Sequence, residues 1–119
     1  MSKKRDIRLF LMDIIEAIEN IMEYTHGMDY EDFIKDKKTM DAVIRNLEIV
    51  GEAVKSMPEE IKKDYPEVDW KEIAGMRDKL IHEYFGVSYQ IVWETIKGDL
   101  PAFEYQIERI LEDIAQQKE

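Results

Sequence analysis

Apolar residues recur every three or four positions along this chain, and nowhere alternate for long enough to suggest a strand. Over residues 5–25, Ile7, Phe10, Leu11, Ile14, Ile18, Ile21 and Met22 fall on one helical face, and Gly27 follows as a stop. Residues 28–38 read as a connection in which Tyr30, Phe33 and Ile34 tuck a short turn against the core. A second helix is expected over residues 38–56, striped by Val43, Leu47, Val50 and Val54. Pro58 can open a short helical turn, and Tyr65-Pro66 closes it, because a residue before proline avoids the helical state. Asp69 with Glu72 three residues later has the form of a capping box opening a third helix. That helix carries Ile73, Leu80, Ile81 and Tyr84 and is expected to stop near Gly86. A final helical region runs over residues 88–115, with Gly98 and Pro101 inside it. The fold class this predicts is all-α: an antiparallel bundle of four main helices plus short helical turns, the last helix kinked near Gly98 and Pro101. The whole of residues 1–119 reads as one domain, with no internal repeat or linker.

Composition narrows the function classes. Hydrophobic residues at 45% and charged residues at 37% fit a globular protein rather than a disordered one. The absence of cysteine removes disulfide frameworks and thiolate metal sites. Two histidines, His26 and His82, do not make a metal cluster, and His26 reads as a cap at the end of the first helix. The expectation is no metal and no cofactor. Apolar runs are short and broken by charge, and no segment has the order of a signal peptide, which leaves no membrane and a cytoplasmic location as the expectation. The net charge of −10, from 17 Lys plus Arg against 27 Asp plus Glu, excludes a generic polyanion binder. Contact with nucleic acid must then be local, or must draw on positive charge gathered by assembly.

The third helix repays reading as a wheel of about 100° per residue. Met76, Leu80, Ile73, Tyr84, Ile81 and Ala74 gather into one apolar arc, and Arg77 falls inside it. An arginine there must be paired or must reach solvent along its stem, so a bridge to a carboxylate on another helix stands beside any functional reading. His82 lies about 140° from Arg77, on the more polar side with Asp78 and Lys71, and shares its face with Gly75. From the pattern alone, a surface histidine near a helix end is the simpler account of it. Gly75 and Gly51 are intrahelical glycines, which often mark close approach of a backbone or ligand. On the second helix Asn46 sits within the apolar arc and needs a hydrogen-bond partner, which makes it the candidate to face the third helix. Arg45, Glu48 and Glu52 share the opposite face, where local pairing is the simpler account. Because Arg77 and His82 diverge on a regular helix, they meet only if the helix loosens near His82 or a second copy completes the site.

The string RDKLIHEYFG, beginning at Arg77, resembles the R-x4-H-x-Y motif of HepT-like toxins, within the HEPN group of helical ribonucleases. DAVIRNLEIVGEAVK (41–55), YPEVDWKEIAGMRDKLIHEYFGV (65–87), IVWETIKGDLP (91–101) and RDIRLFLMDIIEAIENI (5–21) also look like that family. The resemblance implies a metal-independent RNA endonuclease leaving a 2′,3′-cyclic phosphate and a 5′-hydroxyl. In family terms His82 is the general acid/base, a role suited to an imidazole, and Arg77 stabilises charge developing on the phosphate. Asn46, Asp78 and Gly75 are the supporting positions.

The resemblance further implies a toxin–antitoxin pair and a partner nucleotidyltransferase antitoxin of the MNT type able to transfer AMP to Tyr84, while the expected homodimer comes from the divergence of Arg77 and His82. A phosphate ester beside the catalytic pair would repel substrate phosphate; a packed tyrosine with its hydroxyl at the rim accounts for Tyr84 equally. The alternative is a non-catalytic helical subunit that binds a substrate or nucleotide within a nucleotidyltransferase complex, and a homodimeric interaction module is a third reading.

Overall fold

The computed structural model describes residues 3–82 and 88–117, with side chains described over 7–79 and 88–116. Helix α1 (Lys3–Tyr24) buries Ile7, Leu11, Ile14, Ile18 and Ile21, a run of alternating four- and three-residue steps that keeps one stripe inward. Phe10 and Met22 flank the stripe half-buried. The helix closes where the Thr25 hydroxyl donates to the Ile21 carbonyl at 2.8 Å. Gly27 then reverses the chain at φ 79°, a left-handed conformation that side chains rarely adopt.

Helix α2 (Tyr30–Ile34) starts from a reciprocal cap: the Asp32 N–H donates to Asp29 Oδ1 at 2.8 Å, and the Asp29 N–H donates to Asp32 Oδ2 at 3.2 Å. Phe33 is fully buried, but Ile34 is exposed. The expected tuck therefore involves Phe33, with Tyr30 against Trp93, and not Ile34. A helix this short turns one face inward, and Phe33 occupies it.

Helix α3 (Lys37–Ser56) is capped by Asp36, which accepts from the Thr39 N–H at 3.1 Å; those bonds hold the Asp36 carboxyl below its usual range. Its buried face includes Val43, Leu47, Val50, Gly51 and Val54. Helix α4 (Glu59–Asp64) begins after Pro58 and ends before Tyr65, as the two prolines dictate. Helix α5 (Trp70–His82) starts at Asp69, whose carboxylate accepts from the Glu72 N–H at 3.2 Å. The expected stop near Gly86 lies outside the described residues.

From Tyr89 the chain stays helical to Gln117, as α6 (Tyr89–Glu94), a π-helical turn at Thr95–Asp99, and α7 (Leu100–Gln117). The irregularity sits where Gly98 and Pro101 predict it. The helix is not broken there, because the Leu100 N–H reaches back five residues to the Thr95 carbonyl. The widened turn accommodates a proline ring that would clash within an ordinary one.

The architecture is an all-α bundle. Helix α1 packs against both α3 and α7, while α5 packs along the far side of α3. One apolar cluster runs through these helices. Aromatic contacts tie the ends: Phe33 meets Trp93 and Tyr89 at ring distances of 5.1 and 5.9 Å, and Trp70 meets Phe103 edge-on at 6.4 Å. Among the described residues there is no strand, and no helix is long and apolar enough to cross a membrane.

Candidate active site

Gly51 decides where α5 can lie. A Cβ at that position would collide with the Arg77 Cβ and stand 2.6 Å from its Cγ, so the bare backbone of α3 forms the seat for the Arg77 stem. With that stem wedged between helices, the guanidinium emerges beside Glu52. Its NH2 pairs with Glu52 Oε1 at 2.7 Å, and its NH1 with Asp78 Oδ1 at 3.2 Å. Asp78 Oδ1 also accepts from Lys55 Nζ at 3.1 Å. The four groups form a chain of alternating charge across the α3–α5 seam, and Lys55 and then Arg77 hold the Asp78 carboxyl below its usual range. Arg77 Nε is buried, with no hydrogen-bond partner among the described residues. Only 25% of the Arg77 side chain is exposed, against 63% for Glu52, so the arginine is the anchored member of the pair.

The bridge to a carboxylate of another helix, one of the two readings of Arg77 from sequence, is thus what the chain shows. The arginine also lines a shallow cavity of about 340 Å³ between α1, α3 and α5, shared with Asp13, Arg45, Glu48 and Glu52. Two guanidinium groups face three carboxylates there, so the cavity holds positive charge beside its acidic groups.

Gly75 behaves differently from Gly51. Nothing in the described chain comes within 4 Å of where its side chain would project. It opens instead onto a groove of about 940 Å³ between α5 and the last helix. The floor of that groove is apolar, with Ile73, Met76, Leu100 and Phe103; Glu67, Asp69, Glu72, Asp78, Glu94 and Asp99 line it against Lys79. Asp69 beside Glu72 pushes the Glu72 carboxyl up. A phosphate chain is repelled from such a groove.

Asn46 is buried, as its place in the apolar arc implies, but among the described residues its polar contacts do not run to the third helix. Its Nδ2 donates to the Ala42 carbonyl at 2.9 Å, and its Oδ1 accepts from Asn20 Nδ2 at 3.2 Å. The expectation that it faces α5 is corrected: Asn46 joins α3 to α1. Its register explains this, because Asn46 lies about 140° around α3 from Gly51, where α5 sits.

His82 closes α5 in the backbone, while its side chain, those of Leu80 and Ile81, and all of Tyr84 lie outside the described residues. The backbone of α5 is helical through His82, and the expected loosening beyond it lies outside the described residues. Glu52, expected to pair locally, reaches across to α5 instead, as does Lys55, which the sequence pattern did not single out; among the described residues Arg45 makes no ion pair with Glu48 or Glu52. The nearest sequence signal was their position beside an intrahelical glycine. Also unforeseen is a trio of carboxylates, Glu19, Glu104 and Glu108, whose oxygens lie within 4.8 Å of one another. Burial, then Glu108 and Glu19, push the Glu104 carboxyl up.

The chain belongs to the Ribonuclease HepT-like family, whose sequence profile matches residues 14–110. A Methanocaldococcus jannaschii protein named as a candidate RNase is 51% identical over 111 residues, covering 93% of this chain and 92% of its own. One from Caldanaerobacter subterraneus, also named as a candidate RNase, is 50% identical over 105 residues, covering 88% and 94%. A Thermococcus cleftensis protein named as a candidate ribonuclease HepT is 50% identical over 107 residues, covering 90% and 97%. No solved structure matches the chain.

Proposed function

We propose that this chain is the ribonuclease toxin of a toxin–antitoxin pair, cutting RNA without a metal ion. The observation that carries the reading is Arg77, the first residue of the RDKLIHEY segment, whose stem is fixed on Gly51 and whose guanidinium lines a cavity. His82 takes the proton of a ribose 2′-hydroxyl as its oxygen attacks the adjacent phosphorus. Arg77 stabilises the charge that builds on the phosphate oxygens, and the leaving 5′-oxygen receives a proton. The products are a 2′,3′-cyclic phosphate and a 5′-hydroxyl. Asp78 supports the site through Arg77, Gly75 keeps the His82 face of the helix open, and Asn46 braces α3 from the side of α1.

Two copies of the chain complete the site in this reading, in the cytoplasm. The divergence of Arg77 and His82 around α5 supports that, as does the groove left along α5 opposite α3. The antitoxin is a nucleotidyltransferase of the MNT type that masks the toxin and transfers AMP to the Tyr84 hydroxyl, placing a negative phosphodiester beside the catalytic pair.

Incubation of the protein with cellular RNA in EDTA tests this, beside His82→Ala and Arg77→Ala. Cleavage by the parent and its loss in both variants is the expected result. A monomer that is fully active at micromolar concentration would sink the composite site. An AMP-sized mass still acquired by Tyr84→Phe would sink that assignment.

The net charge of −10 favours a second reading, a non-catalytic subunit presenting a substrate or nucleotide to a nucleotidyltransferase, because RNA must approach an acidic body. Tight binding to a co-expressed transferase with no RNA cleavage would select it.

A further inference from the structure

The ribonuclease reading gives Arg77 a task at the phosphate but does not say what keeps its guanidinium aimed. A free arginine head explores many orientations, and transition-state stabilisation depends on having one. The stem of Arg77 is fixed by Gly51, which sets where the head emerges but not how its plane is turned. Turning is limited by the two carboxylates. Glu52 Oε1 takes NH2 at 2.7 Å and Asp78 Oδ1 takes NH1 at 3.2 Å. The Nε edge is shut inside the seam. One hydrogen on each terminal nitrogen stays free of these bonds.

The two carboxylates are not equivalent. Asp78 follows Arg77 on the same helix and is shared with Lys55, so it moves with α5 and is partly neutralised. Glu52 stands on the opposing helix, next in sequence to the glycine that admits the arginine. The shorter bond is also the one that crosses the seam.

We propose that Glu52 is a positioning residue for Arg77: its carboxylate fixes the plane of the guanidinium so that the remaining NH1 and NH2 hydrogens meet the scissile phosphate of RNA. This rests on the ribonuclease reading above. Glu52 itself touches no substrate. Its carboxylate offsets part of the arginine charge, so its contribution is to orientation during the reaction rather than to ground-state affinity.

The test compares the parent with Glu52→Ala and Glu52→Gln in RNA cleavage at saturating and limiting substrate. Glu52→Ala is expected to lower kcat on the order of 10- to 100-fold while KM moves less than about threefold. Glu52→Gln recovers part of the loss, because an amide oxygen still accepts from NH2. Melting temperature stays within a few degrees, since Glu52 is itself exposed and Asp78 still pairs with Arg77. In substrate-free protein, nitrogen-15 NMR of the Arg77 guanidinium, assigned with Arg77→Lys, shows slowed rotation about Nε–Cζ in the parent and fast rotation in Glu52→Ala.

Unchanged rotation overturns the proposal, as does an unchanged kcat. A fall in KM with kcat intact also overturns it, making Glu52 a competitor of phosphate. A parent that cleaves no RNA removes the ribonuclease reading itself and the role of Glu52 with it, an outcome distinct from cleavage that ignores the substitution.

Discussion

Arg77 lies where a side chain at position 51 would have to go. The overlap involves its Cβ and extends to 3.2 Å from its Cα, so yielding would require movement of α5 itself rather than of a flexible tip. Backbone approach between α3 and α5 and placement of the guanidinium are therefore one constraint.

Gly51→Ala is expected to destabilise the protein by about 1–3 kcal/mol, the usual consequence of overfilling a packed contact. Gly75→Ala meets open space at a helical position and is expected to stabilise by up to about 1 kcal/mol. Urea denaturation of the two variants should give opposite signs. Equal signs would mean that the seam gives way without difficulty.

Tyr65 offers a marker in alkali. Its hydroxyl donates to Asp113 Oδ2 at 2.8 Å, joining the segment before α5 to α7. Burial first, and then that bond and the Asp113 charge, push its pKa up to about 12. A pKa raised on folding gives stability that is whole below the ordinary value of 10.0 and fades as pH climbs through the folded value. Phenolate absorbance should therefore show a late-titrating tyrosine that Tyr65→Phe lacks. The stability difference between parent and variant should hold from neutral pH to about 10 and shrink above it. A difference that persists at higher pH would place the cause in packing instead.

The trio at the α1–α7 seam carries the opposite sign at neutral pH. Glu104 has a raised pKa, so its favourable contribution belongs to pH below its ordinary 4.5 and is gone once it ionises beside Glu108 and Glu19. Glu104→Gln is expected to raise the melting temperature at neutral pH by about 1–3 °C, and the gain should vanish near pH 4. Calorimetry at the two pH values decides it; a gain of equal size at both would exclude charge repulsion.

The fold was largely legible in the sequence because its information is local and periodic. Alternating four- and three-residue steps gave α1 and α3 to within two residues at either end, and Pro58 with Tyr65-Pro66 bounded α4. Gly98 and Pro101 located the irregular turn, though its continuity through a five-residue bond depends on carbonyls that a residue pattern does not display. Pairing across helices was not legible. Gly51 and Gly75 look alike on a wheel, yet one is a contact and the other a gap. Asn46 was read as buried and is, but its partner depended on which neighbour covers that arc. Glu52 and Lys55 belong to a polar face that any surface helix presents, and only the approach of α5 gives them Arg77 and Asp78.

Among the described residues, helix α5 packs chiefly along α3, like a door hung on one jamb, and the segment beginning at Arg77 is carried on it. Whatever alters the jamb alters the swing of the door. The sequence of α3, which contains no residue of the R-x4-H-x-Y motif, is thereby placed in control of it.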